Sequence, residues 1–342
     1  MSRALEFPFP VPPKPIEMIE VAKGIFWLRL ALPFRLDHVN IYLIEDGDGF
    51  ALVDTGIDDP TTRESWEALL SGPLRSRPLT RIIGTHCHPD HIGLGGWLCA
   101  RLGLQLLMSQ TEYLVTLNVR LDPAALNSEP YLSFYRSHGL DAFHTELLLS
   151  RGLQYLRMVS VPPRTFRRVI ANEILRIGGR DFEVLTGGGH SPEQVMLYCE
   201  ADNLLLCADQ VLAKITPNIS VEAMDPEGDP LGIYLRSLDR LKRALPANIL
   251  VLPGHNLPFV GLHTRVDELA AHHKARCLAI HEACRKAPHS VAELVPVVFG
   301  RVIDDPHQMA FAFSEALAHA NFMIRRGELR EERISSGVAL RV

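Results

Sequence analysis

The feature that most restricts this chain is the string Thr85-His86-Cys87-His88-Pro89-Asp90-His91-Ile92-Gly93, which directly follows the strand-like Arg81-Ile82-Ile83-Gly84. Four imidazole or carboxylate groups fall within six residues there, where a buried-looking strand turns into a loop. Nitrogen and oxygen donors at this density suit zinc, iron or manganese, or a pair of such ions. Alternate side chains of an extended segment share a face, so His86 and His88 point one way and Cys87 the other. Pro89 fixes a turn and Gly93 opens the next helix, which lets Asp90 and His91 curl round to face a second position.

A folded chain of 342 residues removes roughly 75% of its extended surface from water, so a large core is available. With 47% hydrophobic and 22% charged residues the composition is globular, and length alone suggests about two domains. The formal charge of −5 leaves no electrostatic footprint for nucleic acid or an anionic membrane surface. No run approaches ~18 apolar residues, so no bilayer-spanning segment and no membrane partner are expected. Residues 1–19 are proline-rich and read as an extended lead-in without the apolar region of a signal peptide. Cysteines at 87, 99, 199, 207, 277 and 284 show no framework spacing, which fits reduced thiols and a cytoplasmic location.

Strands are expected at 25–30, 40–44 and 50–53, the last two joined by a turn at 45–49 and closed by Asp54-Thr55-Gly56. A short amphipathic helix at 62–70 and a strand at 81–84 follow. The pattern then recurs: a strand at 194–198, a polar turn at 200–203, and a strand from Leu204 that ends on Asp209. Asn40 and Gln194 lie 154 residues apart but Asp54 and Asp209 lie 155 apart, so the echo needs a shift of one residue. Two duplicated halves with sheets packed face to face is one reading. A chance pair of common hairpins is the other. Between them, residues 109–169 read mostly as helix. Helices are expected again at 266–284, after a capping-box pattern at Ser290, and at 308–325. Residues 261–342 thus form a mainly helical appendage, with 11 Lys/Arg against 10 Asp/Glu.

Four further strings stand in order around the first: Val53-Asp54-Thr55-Gly56, Gly188-Gly189-His190-Ser191-Pro192-Glu193, Cys207-Ala208-Asp209-Gln210-Val211-Leu212 and Leu252-Pro253-Gly254-His255-Asn256. Together the five resemble the metallo-β-lactamase-fold hydrolases, the superfamily that includes glyoxalase II. The resemblance implies an α/β protein: a four-layer αββα sandwich over residues 1–260 that carries the 109–169 helices, then a winged-helix-like segment at 261–342. It also implies two divalent metal ions, zinc first, with iron or manganese as alternatives. His86, His88 and His190 would hold one ion, Asp90, His91 and His255 the other, and Asp209 would bridge them. Asp54 would orient a ligand histidine or the motif backbone. Asp90 is the nearest candidate for handling a proton, a role set against that of plain ligand. Such ions bring the pKa of bound water from about 15.7 to roughly 7, so a metal-bound hydroxide would attack an ester-type carbonyl. Cys87 reads as a bystander, His272-His273 as a pair on a helix surface, and the glycines at 187–189 lack the context of a phosphate loop.

Fold and ions do not name a substrate. No flavodoxin-like domain follows residue 260, which disfavours the diiron flavoproteins. Only 46 residues separate Asp209 from His255, too few for the large cap of the RNA-processing nucleases. The remaining resemblance is to cytosolic glyoxalase II-like and thioesterase-like hydrolases, so a thioester or lactone is the expected small-molecule substrate. A single-strand endoribonuclease or phosphodiesterase comes second, because the near-neutral tail lacks a basic stripe for a phosphate backbone. A mononuclear-iron sulfur dioxygenase is a further alternative. So is a regulator without turnover, against which the complete ligand set argues. A homo-oligomer is left open. Tyr131, Phe134, Tyr135 and His138 of the insert would line an apolar mouth above the metals, or form the insert's own small core.

Overall fold

In the computed structural model, which describes residues 4–121, 123, 128–335 and 337–342, two mixed sheets face each other. Residues 1–3 of the lead-in, and 122 and 124–127 of the helical insert, lie outside the described residues. The first sheet holds β1 (Ile19–Ala22), β2 (Ile25–Ala31), β3 (His38–Asp46), β4 (Gly49–Val53), β5 (Leu79–Ile83), β6 (Leu106–Met108) and β7 (Arg167–Arg168), side by side in chain order. The second runs β13 (Phe259–Val260), β12 (Leu250–Pro253), β11 (Leu204–Ala208), β10 (Gln194–Cys199), β9 (Arg180–Gly187), β8 (Ile174–Ile177).

Strand alternation builds the layers. Tyr42 and Ile44 of β3 point inward, where they meet Val195 and Leu197 of β10 and Phe182 and Val184 of β9. Ile41 and Leu43 point outward, onto Trp66 and Leu69 of α1 (Pro60–Ser71) and Leu98 of α3 (Gly95–Leu102). The second sheet behaves alike. Leu206 of β11 faces in, while Leu205 faces Tyr234 and Leu238 of α7 (Pro230–Ala244) and Leu269 of α8 (Leu262–Lys286). Strands buried on both faces read as nearly continuous apolar runs, which is why 40–44 and 204–208 lack polar positions that face solvent. Each such Leu, Ile or Val contributes roughly 1.5–3 kcal/mol by leaving water. The result is the expected αββα sandwich.

The recurrence at a distance of about 154 residues is also topological. β3 and β4 pair antiparallel and β4 then pairs parallel with β5; β10 and β11 pair antiparallel and β11 then pairs parallel with β12. Each unit therefore delivers two strand ends to one edge of its sheet.

The insert contains α4 (Gln110–Leu121), α5 (Glu129–Ser137) and α6 (Ala142–Met158). The tail continues through α8 into α9 (Val291–Phe299), α10 (Pro306–Arg325) and the hairpin β14 (Arg330–Ile334) and β15 (Gly337–Arg341). Ser290 caps α9 in the capping box the sequence suggests, with Glu293 reaching back to its backbone. Tail and insert share one core. Tyr135 of α5 is 2% exposed and packs with Phe313, Leu317 and Leu340 of the tail. Among the described residues, no helix is long and apolar enough to cross a membrane.

Candidate metal centre

The ends of β4, β5, β11 and β12, with the loop that follows β9, meet at one edge between the two sheets. β5 stops at Ile83, and Thr85 donates through both N–H and hydroxyl to the Asp54 carboxylate at the end of β4, each at 2.8 Å. His86 and His88 come next, and Pro89 opens the single turn α2 (Pro89–Ile92) that carries Asp90 and His91. His190 follows Gly189, whose φ of +103° lets the chain pass Tyr234 where a Cβ would lie only 2.4 Å from that residue. Asp209 sits just past β11, and His255 follows β12. First-sheet side chains hold the last loop: the Asn40 amide and the Tyr42 hydroxyl both donate to the Pro253 carbonyl at 2.9 Å.

The seven side chains named from the sequence converge. His86, His88 and His190 bring one ring nitrogen each to within 4.8 Å of one another, and Asp90, His91 and His255 bring one donor atom each together in the same way beside them. Asp209 stands between, 3.4 Å from His190 Nε2, 3.5 Å from His91 Nε2 and 3.2 Å from His255 Nε2. Outer ring nitrogens are anchored. His91 Nδ1 donates to Asp54 at 2.7 Å, His190 Nδ1 to the Asn218 carbonyl at 2.8 Å, and His255 Nδ1 to the His38 carbonyl at 2.7 Å. Those bonds occupy each Nδ1 and aim each Nε2 inward, as ligand histidines require.

Three atoms at the middle are left over. His91 Nε2, His190 Nε2 and Asp209 Oδ1 are buried without a hydrogen-bond partner, a cost of about 1–3 kcal/mol each if nothing meets them. Gly254 leaves the space open, since a Cβ there would lie 2.3 Å from Asp209 Oδ1 and 2.7 Å from His91. Nitrogen and carboxylate donors around unsatisfied atoms fit divalent cations. Charge is tuned the same way. Burial keeps His86 neutral and holds His88 down to about 3. For His255 burial works against the proton, but Asp209 and Asp90 outweigh it and push the ring up to about 10. The surrounding histidines hold Asp90 and Asp209 below the ordinary carboxylate range in spite of burial.

Backbone strain marks the two strand ends. Asp54 has φ +64° and Ala208 has φ +42°, conformations that cost non-glycine residues of order 1–3 kcal/mol.

The remaining expected residues lie as follows. Cys87 is buried, 4.0 Å from the Ser191 hydroxyl, and burial beside Glu112 pushes its thiol up, so it offers no thiolate. The aromatic set of the insert packs toward the tail. Tyr135 lies in the shared core, where its hydroxyl accepts the Ala223 N–H at 3.1 Å, and His138 faces Glu331 of the tail hairpin at 3.9 Å. Tyr131 and Phe134 are half-buried against the same core. The expected insert core is not separate, because the tail supplies its other side. His272-His273 is not a surface pair either: His273 is fully buried between α8 and α10.

Sequence reading misses Glu112. It is fully buried on α4, where one carboxylate oxygen accepts the Cys87 N–H at 2.9 Å and the other accepts the Glu193 N–H at 2.6 Å and the Ser191 hydroxyl. Tyr155 of α6 donates to the Cys87 carbonyl at 2.7 Å. The insert therefore braces the two histidine loops from behind. No local pattern announces this, because Glu112 looks like any first-turn acid of a helix.

An αββα sandwich with a histidine–aspartate centre at the edge between its sheets defines a class of metal-site proteins. Family-model comparison matches residues 34–255 to the Metallo-beta-lactamase superfamily, to which the chain belongs. Residues 277–340 match the Metallo-beta-lactamase-like, C-terminal domain. Among solved structures, a beta-lactamase domain protein from Burkholderia ambifaria is 38% identical with a TM-score of 0.90, covering 98% of each chain. A metallo-beta-lactamase family protein from Thermus thermophilus is 28% identical with a TM-score of 0.78, covering 94% of this chain and 99% of that one. A linear primary-alkylsulfatase from Pseudomonas sp. (strain ATCC 19151) is 24% identical over 70% of this chain, which spans only 45% of that protein's length. The fold of this family implies divalent metal ions, and the histidine and aspartate groups fit them.

Proposed function

We propose that the chain is a metal-dependent hydrolase of an ester-type carbonyl, with a thioester or lactone as substrate. The observation that carries the reading is the set of inward-facing atoms without partners, His91 Nε2, His190 Nε2 and Asp209 Oδ1, among seven converging donors. His86, His88 and His190 would hold one ion, Asp90, His91 and His255 the other, with Asp209 shared between them. Zinc suits this donor set, with iron or manganese as the alternatives a metal assay separates. Bound there, two divalent ions supply Lewis acidity and an acidified water at neutral pH.

The protein's own groups do the positioning. Asp54 accepts the hydrogen bond from His91 Nδ1 and keeps that ring oriented. Asp90 is partly open to solvent and stays ionised at neutral pH, which suits a ligand and leaves it a weak proton acceptor. Glu112 and Tyr155 keep the Cys87 backbone, and so the spacing of His86 and His88, fixed. The glyoxalase II-like assignment rests on the motif resemblance, and three helices followed by a hairpin are what a winged-helix-like tail would need. Six unpaired, buried cysteines support a cytoplasmic setting.

The test is metal content of protein purified without added metal, then turnover of a panel of thioesters, lactones, phosphodiesters, single-stranded RNA and, in view of the alkylsulfatase likeness, alkyl sulfates. Two ions per chain with thioester or lactone hydrolysis is the expected result. RNA or sulfate-ester cleavage alone would replace the substrate class, and one iron with oxygen consumption would replace the reaction.

A further inference from the structure

A second cluster of ligand-type side chains lies outside the centre between the sheets. Glu315 and His319 are spaced i, i+4 on α10, so they share a helix face, and His273 of α8 meets them from the opposite side. One ligand atom from each lies within 4.8 Å of the other two. His273 and His319 are fully buried and Glu315 is 6% exposed.

Proton bookkeeping in this cluster is informative. His319 Nδ1 donates to the Glu315 carbonyl at 2.7 Å, so the ring proton sits there and Nε2 carries a lone pair. That lone pair points at His273 Nδ1, 3.1 Å away. A hydrogen bond between the rings would put the His273 proton on Nδ1 and leave His273 Nε2 a bare, buried acceptor with no partner. His272 Nε2 and Ser314 Oγ, on neighbouring residues, are also buried without partners. Such a concentration of unsatisfied atoms in an apolar tail core is unusual.

We propose that His273, Glu315 and His319 bind a further divalent ion of the zinc class, which ties α8 to α10 within the tail. Two imidazole nitrogens and a carboxylate are donors that zinc accepts readily. The ion takes the place of the proton between the rings: His273 Nδ1 and His319 Nε2, 3.1 Å apart, both become ligands, and the His273 proton moves to Nε2, which becomes a buried donor in place of a buried acceptor. The backbone carbonyl of Glu315 plays the orienting part for His319 that Asn218 and His38 play for His190 and His255. Burial holds His319 down to about 4 and His273 down to about 2, so both rings are neutral at neutral pH, while burial pushes the Glu315 carboxyl up to about 7, so there the ion competes with a proton. Arg276 donates to Glu315 Oε1 and fixes the position of the carboxylate. The site bears on the rest of the fold through Tyr234, whose ring stands edge-on to His273 at 5.7 Å and whose hydroxyl donates to the Gln210 carbonyl, next to Asp209.

The deciding experiment is anomalous diffraction at the zinc edge on crystals of the full chain loaded with zinc and then dialysed, with zinc per chain measured in solution. The expected map has a peak among His273, Glu315 and His319, separate from the centre between the sheets. His319→Gln, still folded by circular dichroism and still turning over substrate, should hold one zinc fewer per chain and melt at a lower temperature. Zinc between the sheets with no peak in the tail would overturn the proposal, as would unchanged zinc content in folded His319→Gln. If His319→Gln fails to fold, the wild-type map decides alone. A peak in the tail with none between the sheets would keep this site and remove the other, so the two failures are distinguishable.

Discussion

The two halves of the sandwich end their central hairpins on an aspartate, yet the two carboxylates do opposite things. Asp54 is saturated: its oxygens accept from the Thr85 N–H and hydroxyl and from His91 Nδ1. Asp209 keeps Oδ1 without a partner and stands within 3.5 Å of three inward-facing histidine nitrogens. The left-handed backbone positions explain the difference. They fall at Asp54 and at Ala208, which keep the same 154-residue spacing as Asn40 and Gln194. In the first half the aspartate is the kinked residue and turns back into the protein. In the second half it follows the kink and reaches past the strand edge into the centre. A shift of one residue separates an orienting carboxylate from a bridging one.

That contrast can be attacked directly. Asp209→Ala should abolish retention of the ion pair and lower turnover by roughly 10³-fold, with circular dichroism unchanged. Undiminished kcat with full metal supplementation would remove Asp209 from the centre. Asp54→Asn should cost less, roughly 10–100-fold in metal affinity, because it touches an ion only through His91. A titration with a chromophoric chelator measures both, and equal losses would erase the distinction.

Glu112→Ala tests the brace behind the first half. It leaves the Cys87 N–H, the Glu193 N–H and the Ser191 hydroxyl without their acceptor, so unfolding should need roughly 3 kcal/mol less. Urea melts of metal-free protein read this without interference from ion binding. An unchanged midpoint would mean that the insert does not hold the loops.

The smallest effect expected is on pH dependence after the metals are stripped. His255 is pushed up to about 10 in the folded chain, above its ordinary value of 6.5, so the folded state binds the extra proton. Its contribution is complete below about 6.5 and is lost as pH rises through about 10, and stability of the metal-free chain should fall across that window. Asp209→Asn should flatten the slope most, and Asp54→Asn should flatten it less, because Asp54 helps to raise His91, after Asp209 and Asp90, but not His255. Thermal melts at several pH values in chelator compare them.

Much of this is legible in the sequence where the relevant groups are neighbours along the chain. His86, His88, Asp90 and His91 announce themselves because one strand end and one helical turn present them all. His190, Asp209 and His255 are readable only through the family resemblance, since each is a lone residue at a strand end. Glu112 is invisible because its partners are backbone N–H groups 25 and 81 residues away. His273 reads as a helix-surface residue because its partner, His319, is 46 residues further on. The aromatic residues of α5 read as a mouth or a local core because nothing in 109–169 shows that the tail will cover them.

The tail also dictates an order of events during synthesis. Gly337 approaches Ser137 so closely that a Cβ would lie 2.2 Å from its carbonyl oxygen, and Leu340 exchanges two backbone hydrogen bonds with His289. Helix α5 therefore waits about 200 residues for the hairpin that covers it. At 5–20 residues per second that is roughly 10–40 s on the ribosome with an apolar helix face uncovered. During that interval the strands of the second sheet, residues 174–260, emerge and can pair with one another and pack on the first sheet, so the cover over α5 is secured after both sheets and after the brace behind the histidine loops.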